Sequence, residues 1–107
     1  MDERSARLAK NEAIFRAGNE RIDELAGGEA PYLCECGNDR CFERIALSHQ
    51  EYEAVRANPA RFFVVPGHED LTAGEVVIEE LGGFTVVEKR GEEREIVEQA
   101  DPRSSSP

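Results

Sequence analysis

Three cysteines fall within eight consecutive positions, as Cys34-x-Cys36-x4-Cys41, and the chain has no others. An odd number of thiols packed this closely does not suit a disulfide framework, which needs pairs and an oxidising compartment. It does suit a metal, because three soft thiolates in one tight loop are the usual donors to a tetrahedral zinc ion. Gly37, between the second and third cysteines, lets the chain fold back so that backbone N–H groups approach the sulfurs and offset their charge. The alternative is three free thiols, one or two of them buried as small hydrophobic side chains.

A closed zinc site needs a fourth ligand, and the sequence has two histidines, His49 and His68. His49 falls at the start of a capped helix, where side chains point to solvent. His68 follows an apolar strand and a Pro66-Gly67 turn, a rigid placement that brings an imidazole back to a loop distant in sequence. The pattern therefore favours Cys34, Cys36, Cys41 and His68 as ligands of one structural zinc. Were His68 only a surface turn residue, Glu35, Asp39, Glu69 or a water would remain for the fourth position. An open fourth position is the mark of catalytic zinc. Thiolate-rich sites, however, quench the Lewis acidity of the metal, and a small domain offers little wall for a substrate pocket. No catalytic residue is expected, and the chain reads as a non-enzyme.

Size makes a metal staple useful. A chain of 107 residues has room for one domain, which buries only roughly 60% of the surface of its unfolded state. The two ends look too polar to join the core. The net charge is −10, and the segments 1–30, 31–90 and 91–107 are each net negative. Without a basic patch, nucleic acid and anionic membrane surfaces are not expected as partners. No apolar run approaches the ~20 residues that span a bilayer, and Met1–Leu8 is charged, so the expected compartment is the cytoplasm.

Along the chain, residues 2–26 lack proline and place Leu8, Phe15 and Ile22 seven apart, with Ile14 and Leu25 beside them. This predicts one amphipathic helix in a segment 1–28, ended by Gly27-Gly28. Glu3 with Arg7 and Glu12 with Arg16 are candidate i,i+4 pairs. The stripe is expected to pack on its own domain, with self-association or partner binding through the helix as the other readings. Tyr32–Glu35 enters a strand, Gly37-Asn38-Asp39 turns, and Phe42–Leu47 is extended with Ile45 and Leu47 on one face.

Ser48 and Glu51 form a capping box, and Leu47 with Tyr52 a hydrophobic staple, so a short helix is expected from His49 to about Ala57. Asn58-Pro59 ends it. Arg61–Val65 is aromatic and β-branched and predicts a buried strand. Val76–Ile78 and Phe84–Val87 flank Gly82-Gly83 as a hairpin, with a helix over 72–81 as the alternative. The acidic, then Ser/Pro-rich, segment 91–107 is expected to be disordered.

Several stretches carry a family resemblance: Tyr32-Leu33-Cys34-Glu35-Cys36, Cys41, Glu51 to Arg56, Arg61-Phe62, Pro66-Gly67-His68-Glu69 and Val86-Val87-Glu88-Lys89, together with Asn11 to Arg16 near the start. In these the chain resembles a family of small acidic proteins of uncharacterised function, mainly from high-GC Gram-positive bacteria. The resemblance spans about residues 1–90 and departs at Ala73-Gly74. It implies the three cysteines and the Pro-Gly-His turn as shared features, with no fixed histidine at the position of His49, and it implies no activity.

The expected fold is a small α+β domain: an N-terminal helix, a mostly antiparallel sheet of three or four strands within a zinc-binding unit 29–90, and one short capped helix. Zinc would join the first loop to the Pro-Gly-His turn, and its removal would largely unfold the chain. The expected function is a non-catalytic interaction or regulatory module with an unknown protein partner. A thiol-based redox switch that releases zinc on oxidation is the alternative, ahead of a small zinc enzyme or a nucleic-acid-binding module.

Overall fold

The computed structural model describes residues 2–105, beginning with the long helix α1, Glu3–Ala26. Asp2 caps its start by accepting the Ser5 N–H at 2.7 Å, and Gly27 ends it in the left-handed conformation (φ 68°), which glycine adopts without a Cβ penalty. The helix is the one expected, but a different face points inward. Leu8, Phe15 and Ile22 are only half-buried and Ile14 and Leu25 lie in solvent, whereas Ser5, Ala9, Glu12, Ala13, Arg16 and Asn19 are buried. Small residues let the helix approach closely, and long polar ones reach through to buried partners. Arg16 donates to the carbonyls of Pro59 and Val97, both at 2.5 Å, and lies over the Phe62 ring. Glu12 faces Lys89 at 2.8 Å, so the expected Glu12–Arg16 pair gives way to tertiary contacts.

The chain then forms β1 (Ala30–Leu33), β2 (Arg44–Leu47), α2 (His49–Arg56), β3 (Arg61–Val64), β4 (Glu75–Leu81), β5 (Phe84–Lys89) and α3 (Gly91–Gln99). The result is a small α+β domain with two antiparallel sheets in place of one: β1-β2, and a three-stranded sheet in the order β3-β5-β4. The hairpin β4–β5 turns at Gly82-Gly83, which excludes the alternative helix over 72–81. In β2, Ile45 and Leu47 face inward as the alternation requires. The capping box at the start of α2 is complete: Ser48 accepts the Glu51 N–H at 3.1 Å and Glu51 accepts the Ser48 N–H at 2.8 Å.

The two sheets meet through aromatic side chains. Tyr32 of β1 stacks on Tyr52 of α2 with ring centroids 4.6 Å apart, and both stand edge-on to Phe63 of β3 at 6.0 Å. This packing lays the loop after β1 along β3, where the Glu35 N–H donates to the Phe63 carbonyl at 3.0 Å.

Beyond Arg90 the expectation of disorder fails for the described residues. Helix α3 packs on α1 and buries Val97, and a 3-10 turn follows at Pro102–Ser105. Glu92 and Glu93 in its first turn favour the helix electrostatically. Asp101 is buried and lies 2.6 Å from the equally buried Arg56, and Arg103 pairs with Glu20 and Glu53. Paired charges add to the apolar contacts of Val97 and Ile96 in docking the segment. The rest of the expected tail, residues 106–107, lies outside the described residues.

Candidate metal centre

Cys34, Cys36 and Cys41 sit on the loop between β1 and β2, and His68 on the turn after β3. One donor atom from each lies within 4.8 Å of all the others, so two loops remote in sequence bring three sulfurs and an imidazole nitrogen to one point. Cys34 and Cys36 are buried, while Cys41 and His68 are partly exposed.

Local backbone structure fixes each donor. The Cys34 N–H donates to the Glu43 carbonyl at 3.1 Å, continuing the β1–β2 ladder by one residue. Gly37 turns the loop with φ 79°, and a Cβ there would lie 2.8 Å from Glu12 Cγ and 2.9 Å from the Leu8 carbonyl oxygen of α1. Asn11 of α1 donates to the Gly37 carbonyl at 3.0 Å, anchoring the loop from behind. The Cys41 N–H closes a turn onto the Asn38 carbonyl at 3.0 Å. Past β3, the His68 N–H donates to the Val65 carbonyl at 2.9 Å, which aims the ring back at the cysteines.

The imidazole presents its two nitrogens to different partners. Nδ1 lies 3.6 Å from Cys34 Sγ and 3.7 Å from Cys41 Sγ, while Nε2 lies 2.9 Å from a carboxylate oxygen of Glu43. A carboxylate behind a ligating histidine fixes its tautomer and raises its basicity. A second support is the Val65 N–H, which donates to Cys34 Sγ at 3.2 Å.

The thiols share charge unequally. Cys36 is brought down to about 5, first by the hydrogen bond from the Cys34 thiol and then by the Asn38 backbone and His68. Cys34 is pushed far up by that same hydrogen bond and by burial, and burial also raises Cys41. The protein groups therefore accommodate one thiolate readily, and a cation among the sulfurs is what permits all three to ionise. The donor set fits a soft or borderline divalent ion, and the chemistry of three sulfurs and one imidazole matches structural sites.

The other sequence candidates lie elsewhere. Glu35 turns into the core, where its carboxylate accepts from Asn19 at 2.9 Å and from the Phe63 N–H at 3.2 Å, and burial raises it to about 7. Asp39 is exposed, and Glu69 accepts the Gly67 N–H at 3.0 Å. His49 is on the surface as expected, 2.9 Å from Asp23. It forms a second group with Asp23 and Glu53. Glu53 is already neutralised there by Arg103 at 2.8 Å, so that group has its own cation. Glu43 was not among the candidates that the sequence pattern offered. Its place in the two-strand ladder was the available signal, because it lies opposite Cys34, one position beyond the Leu33–Arg44 pair.

The fold and the cluster define a small α+β domain with a Cys3His group suited to a metal ion. No protein-family model matches the chain, no curated protein is significantly similar to it, and no solved structure matches it. Among the described residues no helix is long and apolar enough to cross a membrane.

Proposed function

We propose that Cys34, Cys36, Cys41 and His68 hold one zinc ion and that the protein is a non-catalytic, zinc-stapled interaction or regulatory module. The observation that carries this reading is the convergence of the four donor atoms within 4.8 Å from two separate loops. Zinc would supply a cross-link: it fastens the β1–β2 loop to the turn after β3, which otherwise depend on a few hydrogen bonds. Four protein donors fill a tetrahedral shell and leave no position for a reacting water.

Native mass spectrometry of the purified full-length protein tests the reading. One zinc per chain is expected, lost in the Cys36→Ser and His68→Ala variants. X-ray absorption should find three sulfurs at about 2.3 Å and one nitrogen at about 2.0 Å. A strong chelator should abolish cooperative unfolding, since structural zinc in small domains contributes on the order of 10 kcal/mol. Chain that stays cooperatively folded when stripped would overturn the proposal.

A second reading draws on access to the same sulfurs. A cleft of about 490 Å3 bordered by Cys36, His68, Arg7 and Asn11 opens beside the cluster. A hydroperoxide entering there could oxidise two thiols to a disulfide, taking up two electrons and two protons to leave water and an alcohol, or two waters from hydrogen peroxide, and releasing the metal. Zinc retained through mild peroxide treatment excludes this switch and leaves the structural role standing.

A further inference from the structure

Strand β4 is the outer strand of its sheet: β5 pairs with one side, and among the described residues no strand pairs with the other. Such an edge exposes unpaired backbone N–H and C=O groups and is normally covered or heavily charged. Here Val76, Val77, Ile78 and Leu81 are all exposed, at 37–40% of their surface. A β-bulge at Val77/Glu79 interrupts the pairing register with β5.

Beside this edge the sheet is incompletely covered. Helix α2 packs on β3 and leaves a groove of about 310 Å3 between itself and the hairpin. Buried Val55, Phe84 and Val86 form its base, and exposed Ala54, Ile78 and Leu81 its walls. Acids outnumber cations at its rim. Glu51 and Glu79 line it, while Arg61, the cation that borders it, is held by Glu88 at 2.9 Å. Glu79 and its neighbour Glu80 have no ion-pair partner among the described residues.

We propose that the β4 edge and this groove receive an extended segment of a protein partner in which apolar residues alternate with lysine or arginine, added as a further strand. The inference rests on the reading of the protein as an interaction module and gives that reading a surface. Strand addition satisfies the edge backbone, and the two-residue period of an extended chain sends every second side chain toward the groove. The intervening side chains then stand on the other face, near Glu80, where a cation completes the charge, while Glu79 stays on the groove side. A second copy fits poorly, because it brings the same unpaired acids to a chain whose net charge is −10.

The test selects binders to metal-replete, full-length protein from a displayed library of random peptides. The most enriched peptide is then synthesised for titration and amide hydrogen exchange. Enriched sequences should alternate apolar residues with Lys or Arg, and β4 amides should exchange more slowly when the peptide is bound. The exposed double substitution Glu79→Gln/Glu80→Gln should weaken binding about tenfold, an effect that shrinks at high salt. Ile78→Lys should abolish binding. The absence of any enriched family, enrichment of acidic peptides, protection away from β4, or a dimer whose β4 amides are already protected would each overturn the proposal. Zinc content is measured on the same samples: binding lost with zinc retained removes only the groove, whereas a folded zinc-free chain removes the metal reading.

Discussion

Nε2 of His68 stands 2.9 Å from the carboxylate of Glu43, while Nδ1 of the same ring faces the sulfurs of Cys34 and Cys41. If Glu43 accepts the Nε2 proton, the Nδ1 lone pair is left aimed at the centre of the cluster. Glu43→Ala should therefore weaken zinc binding by roughly 10- to 100-fold. The carboxylate is 58% exposed, so the fold should survive its removal. Competition against a chromophoric chelator at fixed pH measures the change; unaltered affinity would show that Glu43 does not orient the ring.

Gly37 is held at φ 79° against α1, with no room for a Cβ beside Glu12 and the Leu8 carbonyl. Gly37→Ala incurs about 1–2 kcal/mol for the left-handed backbone alone, and the backbone contact adds to it. The expected loss in chemical denaturation is at least ~2 kcal/mol, with reduced zinc affinity because the loop carries Cys36. Alanine at Gly83, with open space around it, serves as the control and should be near neutral.

Local grammar in the sequence is reliable where a segment satisfies its own needs. The Ser48–Glu51 box, the Gly82-Gly83 hairpin, the Ile45/Leu47 alternation and the Cys3His set are each specified by residues a few positions apart, or by ligand chemistry that admits few alternatives. Legibility ends where a polar residue is buried by a partner remote in sequence. Glu12 and Arg16 read as an i,i+4 pair on the solvent side of α1, yet their partners Lys89 and Val97, with Glu35 beside Asn19, make that face the inner one. The same applies to 91–105, where composition suggested a solvated tail and the Arg56–Asp101 pair decides otherwise.

The most buried of these partnerships joins Lys89 to Glu12 at 2.8 Å and Glu75 at 2.9 Å, with the Ala73 carbonyl as a further acceptor at 2.9 Å. One cation faces two carboxylates, and burial drives Glu12 well above the usual carboxylate range despite Lys89. Lys89→Met strands both acids and should cost about 3–5 kcal/mol. Glu12→Gln keeps the shape and removes the surplus charge, so its cost at neutral pH should stay under about 1 kcal/mol. Because the folded state holds the Glu12 proton more tightly than the unfolded chain, its contribution is complete below the ordinary glutamate value of 4.5 and falls as pH rises above it. Denaturation at a series of pH values should show that decline in the wild type and a shallower one in Glu12→Gln; parallel curves would mean that Glu12 is not the titrating group.

The C-terminal segment gives the sharpest contrast between composition and structure. Ending the chain at Arg90 removes Val97 from the core, takes one carbonyl from Arg16, and leaves buried Arg56, among the described residues, with the carboxylate of Glu20 at 3.4 Å. A buried guanidinium deprived of its carboxylate is penalised by roughly 3–5 kcal/mol, so the truncated chain should be strongly destabilised or fail to fold even with zinc present. Asp101→Ala isolates the electrostatic part and should lose about 3 kcal/mol. Thermal unfolding of the two variants at saturating zinc separates the cases. Equal stability of the Arg90 truncation and the full chain would return the segment to the solvated tail that its composition suggests.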